Sequence, residues 1–134
     1  MNEQRSVLSP KNKYWIPKHR YLELKNFCLQ YPEWKLALNS ITVLQAHSQI
    51  FSSGNFLDPT QAICLKRNDY AQKISMIEDA AKEADYAIFK WIIKGVTAPY
   101  SYDYLKYQLE LPASRDMYYD RYRKFFWILD KKRR

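Results

Sequence analysis

Glycine is almost missing from this chain: Gly54 and Gly95 are the only two among 134 residues. Sheet-rich folds rely on glycine where turns need a positive φ, so this scarcity favours helices. Two isolated glycines also leave no glycine-rich loop to cradle a phosphate. Cysteine is as rare. Cys28 and Cys64 lie far apart among apolar neighbours, form no CxxC pair, and read as two reduced core thiols. Histidine is limited to His19, in a basic run, and His47, and neither has a carboxylate or cysteine at ligand spacing. No metal site, no cofactor and no catalytic histidine are therefore expected. Long apolar runs are lacking too. The best candidate, residues 86–96, is broken by Lys90 and Lys94, and the opening MNEQRSVLSPKNK has no apolar signal core. A cytoplasmic protein without membrane contact is the expectation. Asp79, Glu83 and Asp85 fall at the spacing of a solvated helix face, so no cluster of ionisable groups suggests an enzyme.

What the chain has in excess is positive charge and aromatic rings. Twenty-two basic against fourteen acidic side chains give a net +8. The charge is uneven: residues 1–25 carry +4, residues 58–85 carry −2, and residues 115–134 carry +5. Two basic ends raise the local concentration of polyanions and speed encounter with them. Twenty-two aromatic residues, twelve of them tyrosine, suggest a core built largely from rings. Tyr118 and Tyr119 are the exceptions, since their hydroxyls flank the start of a basic helix and could reach a phosphate.

Periodicity organises the rest. Residues 1–13 lack it and read as a flexible basic arm, followed by one helical domain over 14–134. A first helix over 17–31 starts at Pro17 and buries Tyr21, Leu24, Cys28 and Tyr31. A second starts at Pro32 and runs through Trp34, Leu38, Ile41 and Leu44. Residues 45–57 are polar and contain Ser52-Ser53-Gly54-Asn55, a loop signature. Asp58-Pro59-Thr60 then starts a long central helix, in which Ile63, Tyr70, Ile74, Ile77 and Ala81 step by threes and fours, with Arg67 and Ala84 in register. That helix packs within its own bundle or against a second copy, giving a homodimer. Asp85 caps a fourth helix over 86–96, nearly apolar all round and hence central to the core. The fold class is all-α: a single domain of about six helices with a long central helix.

Residues 101–134 carry the one pattern that points to a particular chemistry. Ser101 caps a short helix with Tyr104, Leu105, Leu109 and Leu111 on its apolar side, and Pro112 ends it or begins the next. The following helix repeats Met117, Tyr118, Tyr122, Phe125, Phe126 and Leu129 at core spacing. Arg115, Tyr119 and Arg123 fall four apart on another face, with Ser114 near the start. A DNA-reading helix-turn-helix needs both faces, one to fix its angle and one to send long donors into the major groove. An amphipathic terminal helix with a solvated basic face has the same spacing.

The stretch LELPASRDMYYDRYRKFFWIL resembles the terminal module of small phage-type transcription regulators of the RinA or ArpU family, which is similar to the promoter-reading helix-turn-helix of sigma factors. By that resemblance residues 102–109 support and residues 114–129 read. Arg115 then matches the early polar contact, and Arg121, Arg123 and Lys124 match the family's basic run. With Ser114 and the flanking Tyr118 and Tyr119 they make the expected DNA-binding set. Duplex DNA is then the partner, with RNA polymerase alongside and the host cytoplasm as the place of action. Lys131, Lys132, Arg133 and Arg134 would add phosphate contacts. Asp116 and Asp120 depart from a wholly basic helix, although Asp116 suits a helix start.

Two functions from different classes follow. One is a non-catalytic, DNA-binding transcription regulator of phage or mobile-element type. The other is a protein-binding inhibitor or adaptor, such as an antagonist of a host nuclease or polymerase complex, that keeps the same helices as a scaffold.

Overall fold

The computed structural model describes residues 10–51 and 57–134, with side chains described over 10–43 and 61–134. All regular structure among these residues is helical, as expected. The elements are α1 (Lys18–Leu29), α2 (Tyr31–Phe51), α3 (Leu57–Ala84), α4 (Phe89–Thr97), α5 (Tyr102–Tyr107) and α6 (Arg115–Lys132). They fall into two compact units, one formed by Met1–Gln30 with Met76–Arg134 and the other by Tyr31–Ser75.

The larger unit holds most of the core. α1 contributes Tyr21, Leu24, Phe27 and Cys28, after Pro17 has preset its entry at φ −57°. The end of α3 contributes Ile77, Ala80, Ala81 and Ala84, small side chains that let another helix approach closely. Ile88, Ile92 and Val96 come from α4 and its lead-in, and Tyr118, Phe125, Phe126 and Leu129 from α6. α1, α4 and α6 pack against one another, and α5 rests on α4. Residues 1–9 of the expected arm lie outside the described residues. Its end at 10–13 is a turn in which the Asn12 side chain accepts from the Tyr14 amide at 2.9 Å. Tyr14 then packs edge-on against Trp127, with ring centres 5.6 Å apart.

The smaller unit consists of α2 and the first part of α3. Trp34 and Ile74 are its buried side chains among those described, and the Lys73 ammonium lies 5.4 Å from the Trp34 ring centre. Helix α2 continues to Phe51 through residues 45–51, where their polarity suggests a loop. Those residues include no glycine or proline and have adequate helix propensity, so nothing in them breaks the hydrogen-bond ladder. The expected Ser52-Ser53-Gly54-Asn55 loop lies outside the described residues. Helix α3 begins at Leu57, one residue before the expected Asp58 cap.

Three other expectations need correction. Cys64 is exposed, unlike buried Cys28. Asp85 does not cap α4, which begins at Phe89; its carboxylate instead accepts from the Ala87 amide at 2.9 Å in a turn. Trp91 is half-buried, because its indole N–H reaches a carbonyl at the rim of the unit.

Gly95 is where the core leaves least room. A methyl added there would lie 2.0 Å from the Tyr118 hydroxyl, whose ring is 2% exposed and cannot swing away. Glycine inside a helix is normally about 1 kcal/mol worse than alanine. Gly95→Ala should nevertheless destabilise by roughly 1–3 kcal/mol, the usual cost of overpacking. Adding Tyr118→Phe removes the obstructing oxygen and should recover most of the loss. Urea denaturation of the two single variants and the double variant checks this, and a Gly95→Ala protein as stable as wild type would contradict it.

Candidate nucleic-acid interface

Helices α5 and α6 are set by local chemistry before any long-range packing. The Ser101 hydroxyl accepts from the Tyr104 amide at 3.1 Å, and Asp103 sits in the first turn of α5. The chain leaves α5 at Tyr107, two residues earlier than expected. The Leu111 amide then donates to the Leu105 carbonyl at 2.9 Å. This closure puts Glu110 in the left-handed region at φ 59°, a conformation that glycine or asparagine adopts more easily. The turn is held because Leu105 and Leu111 on either side of it are 0% and 1% exposed.

Two hydrogen bonds fasten this turn to the core. The Trp91 indole donates to the Leu109 carbonyl at 2.7 Å, and the Tyr102 hydroxyl donates to the Ala113 carbonyl at 2.8 Å. The Ser114 hydroxyl then caps α6 by accepting from the Met117 amide at 3.2 Å. Ser114 is therefore engaged as a cap, with Asp116 placed favourably for the helix dipole.

Helix α6 does not present the face that spacing suggests. Tyr118 and Tyr119 are buried, at 2% and 7% exposure. Tyr119 meets the Tyr118 ring edge-on at 5.2 Å, and both rings lie near Tyr102 of α5. Neither phenol can reach a base or a phosphate while the fold is intact. Four-residue spacing marks the face of Arg115, Tyr119 and Arg123 without saying whether solvent or α5 covers it, and so it misplaces Tyr119. Tyr118 is buried as its place in the apolar repeat implies, and only the expected phosphate contact of its hydroxyl is overturned. Arg115 lies partly against the same rings. Its guanidinium stands 5.4 Å and 5.9 Å from the ring centres of Tyr102 and Tyr119. The Arg115 Nε atom is buried, with no hydrogen-bond partner among the described residues. Arg115 and Arg123 flank buried Tyr119, and both are half-buried.

The outward face carries Asp116, Met117, Asp120, Arg121 and Lys124. Asp116 and Met117 are exposed and the other three are half-buried, so Met117 leaves the core that its spacing suggests. Arg121 bridges the turn before α4 and its own helix, donating from Nε to Asp85 at 3.0 Å and from Nη1 to Asp120. Asp116 and Asp120 together offset the charges of Arg121 and Lys124.

The basic tail lies back against the fold. Lys132 pairs with Glu83, and Arg134 pairs with Asp130 at 3.0 Å. The Lys131 ammonium sits 3.1 Å from the Trp127 ring centre, and Arg133 sits 3.8 Å from that of Phe27. All four residues are exposed. The Lys132–Glu83 pair, with a half-exposed carboxylate, is of the kind that contributes about 0–1 kcal/mol, so a phosphate can compete for Lys132. Arg134 is held instead by buried Asp130. Spacing reveals two of these partners, Trp127 and Asp130, each four residues before its cation, but not Glu83 and Phe27, which are remote in sequence.

A second group of residues lies outside the core, including Tyr104, although its place on the apolar side of α5 implies burial. Tyr100 and Tyr104 stack nearly parallel, with centres 4.6 Å apart and planes at 9°, and both are 41% exposed. Tyr107, one turn on, is 75% exposed. Tyrosines at 100, 104 and 107 fall on one side of a helical turn, a signal that is present in the sequence. Lys90 and Lys94 lie on the exposed side of α4.

Chemistry of other kinds finds little footing. No group of His, Cys, Asp or Glu among the described residues could hold a metal ion. Burial pushes the Cys28 thiol and the Tyr118 and Tyr122 hydroxyls well up, so all three stay protonated. No described helix is long and apolar enough to cross a membrane. Compared with known proteins, the chain matches no family model, no curated protein and no solved structure.

One ion pair ties the chain's two ends together. The Arg20 guanidinium donates from Nε to Asp130 at 2.7 Å, and Arg134 donates to the other carboxylate oxygen. Burial alone would raise the Asp130 carboxyl, but these hydrogen bonds outweigh it and hold the group below the usual carboxylate range. A depressed folded-state value means stability that is present above the unfolded value, near pH 4, and lost as pH falls through the folded one. Asp130→Asn should therefore cost about 1.5–3 kcal/mol at pH 7, the range for hydrogen bonds to charged groups. The difference from wild type should shrink steadily below pH 4, as urea midpoints measured at pH 7 and pH 3 can test. An equal deficit at both values would contradict the assignment.

Proposed function

We propose that this chain is a non-catalytic, duplex-DNA-binding regulator that places the first turn of α6 in the major groove. The observation that carries the reading is the α5–turn–α6 pair. Two serine caps and two long-range hydrogen bonds fix its geometry, and the start of α6 remains open to solvent. A fixed helix with a solvent-facing first turn is what base-edge readout requires. Met117 and the Arg115 guanidinium stand at that turn. Lys124 lies two turns along, while Lys131, Lys132, Arg133 and Arg134 supply phosphate contacts by exchanging their internal partners. Tyr118 and Tyr119 keep the helix seated and make no contact themselves. The exposed Tyr104 and Tyr107 hydroxyls add neutral donors beside the groove. The resemblance of residues 109–129 to the RinA or ArpU module supports the same reading, and with it a phage-type regulator acting beside RNA polymerase.

One observation favours a protein partner instead. Asp116 and Asp120 cancel the positive charge of the outward face of α6, and Tyr100, Tyr104 and Tyr107 offer exposed rings of the kind that anchor protein interfaces. An inhibitor or adaptor would use these.

Fluorescence anisotropy on duplex fragments at two salt concentrations separates the two readings. DNA binding should weaken steeply with salt. Deleting residues 131–134 should lower affinity for all sequences and reduce the salt slope by roughly 0.9 for each phosphate no longer neutralised. Arg115→Ala should cost about 1–3 kcal/mol, confined to particular sequences, with a thermal melt as folding control. Negligible binding by wild type at low salt would leave the protein-binding reading standing.

A further inference from the structure

The basic segment before α1 and the far end of α6 meet through their rings. Residues 10–19 hold Lys11, Lys13 and Lys18 and no acidic side chain. Their turn is fixed locally. The Asn12 side chain accepts from the Tyr14 amide at 2.9 Å, and the Asn12 carbonyl accepts from the Trp15 amide at 3.1 Å. Tyr14 packs on Trp127, and each of the two rings carries a cation. The Lys13 ammonium lies 4.9 Å from the Tyr14 centre, and that of Lys131 lies 3.1 Å from the Trp127 centre. Trp15, next in the turn, is 39% exposed, an unusual position for a tryptophan. On α6, Lys124, Trp127 and Lys131 step by three and four residues and so share a face. The acidic groups next to them in sequence are occupied, Asp120 by Arg121 and Asp130 by Arg20 and Arg134. Cations and partly open rings thus alternate over one surface.

We infer that this surface binds single-stranded nucleic acid, with unpaired bases stacking on Trp15 and Trp127 and phosphates meeting Lys11, Lys13 and Lys131. The charge calls for a polyanion, and the rings narrow which one. A duplex keeps its bases paired and stacked inside, so it offers these rings no π-face, whereas each unpaired base does. An exposed lysine on a ring is held more weakly than a base stacked there. A nucleotide can therefore take the ring while the lysine turns to its phosphate. An anionic bilayer fits less well. It needs an apolar helix face to insert, and that of α6, with Phe125, Phe126 and Leu129, is buried in the core. The two hydrogen bonds of the turn hold it before any ligand arrives, which lowers the ordering cost of binding. The surface is also separate from the first turn of α6, since Trp127 lies twelve residues, about 18 Å, beyond Arg115. The inference does not rest on the duplex reading, although Lys131 serves in both.

Fluorescence anisotropy of the full chain with an oligothymidylate of about 12 nucleotides, within the span such sites cover, reads the result. Wild type should bind it with quenching of tryptophan fluorescence. Trp15→Ala should weaken that binding by roughly 5–150-fold, the loss of one stacked base, while duplex affinity and the thermal melt stay unchanged. Lys11→Gln/Lys13→Gln should reduce the salt slope on the strand by about 0.7 for each phosphate no longer neutralised. Negligible binding of oligothymidylate at low salt, or equal affinity of wild type and Trp15→Ala for it, would overturn the inference. So would binding to vesicles of anionic phospholipid in place of the strand. Strand binding that depends on Trp15 in a protein that ignores duplex DNA would support this surface and remove the reading of α6.

Discussion

The seating of α6 is the constraint on which the larger unit depends. Its aromatic face presents Tyr118, Tyr122, Phe125 and Phe126 to α1 and α4, and the edge-on contacts among these rings leave little freedom. The Tyr118 hydroxyl reaches so close to Gly95 that α4 can offer no side chain at that point. On the other side Tyr21 meets Phe126 edge-on at 5.0 Å, and its hydroxyl lies 3.3 Å from that of Tyr122. Once those rings are seated, the direction of α6 is fixed, and with it the position of its exposed first turn.

Polar contacts refine what the rings establish. Arg121 joins α6 to Asp85 before α4, Arg20 joins α1 to Asp130 near the end of α6, and Lys132 reaches Glu83 of α3. Each draws a distant segment to the same helix. They differ in burial, and so in strength. The Asp130 side chain is 10% exposed and accepts from two guanidinium groups, whereas Glu83 is 54% exposed and its partner can be exchanged for a phosphate. A fold held by its core and only lightly by its tail leaves the tail available for a ligand.

Much of this is legible in the chain. The scarcity of glycine implies helices, the Ser101 and Ser114 caps locate α5 and α6, and the apolar repeat names Phe125, Phe126 and Leu129 as core. Tyr118 is buried as the apolar repeat implies, but Tyr119 is misplaced by its spacing for a physical reason. Periodicity separates the faces of a helix, but a short helix such as α5 can cover a second face without leaving a sequence signal. Trp91 shows the same limit in reverse: an apolar neighbourhood suggests full burial, yet its N–H needs a partner and finds one at the Leu109 carbonyl. Glu83 and Phe27, the partners of Lys132 and Arg133, stay hidden because pairing between residues remote in sequence has no period.

On the proposed reading, the start of α6 is the face that meets a ligand while its aromatic side stays closed. Amide chemical-shift mapping during a titration with duplex DNA tests this most directly. Shifts concentrated at residues 113–117, 124 and 131–134, with Ile92, Phe125 and Leu129 unmoved, are the predicted result. Shifts confined to α2 and the first part of α3, or none at low salt, would contradict it.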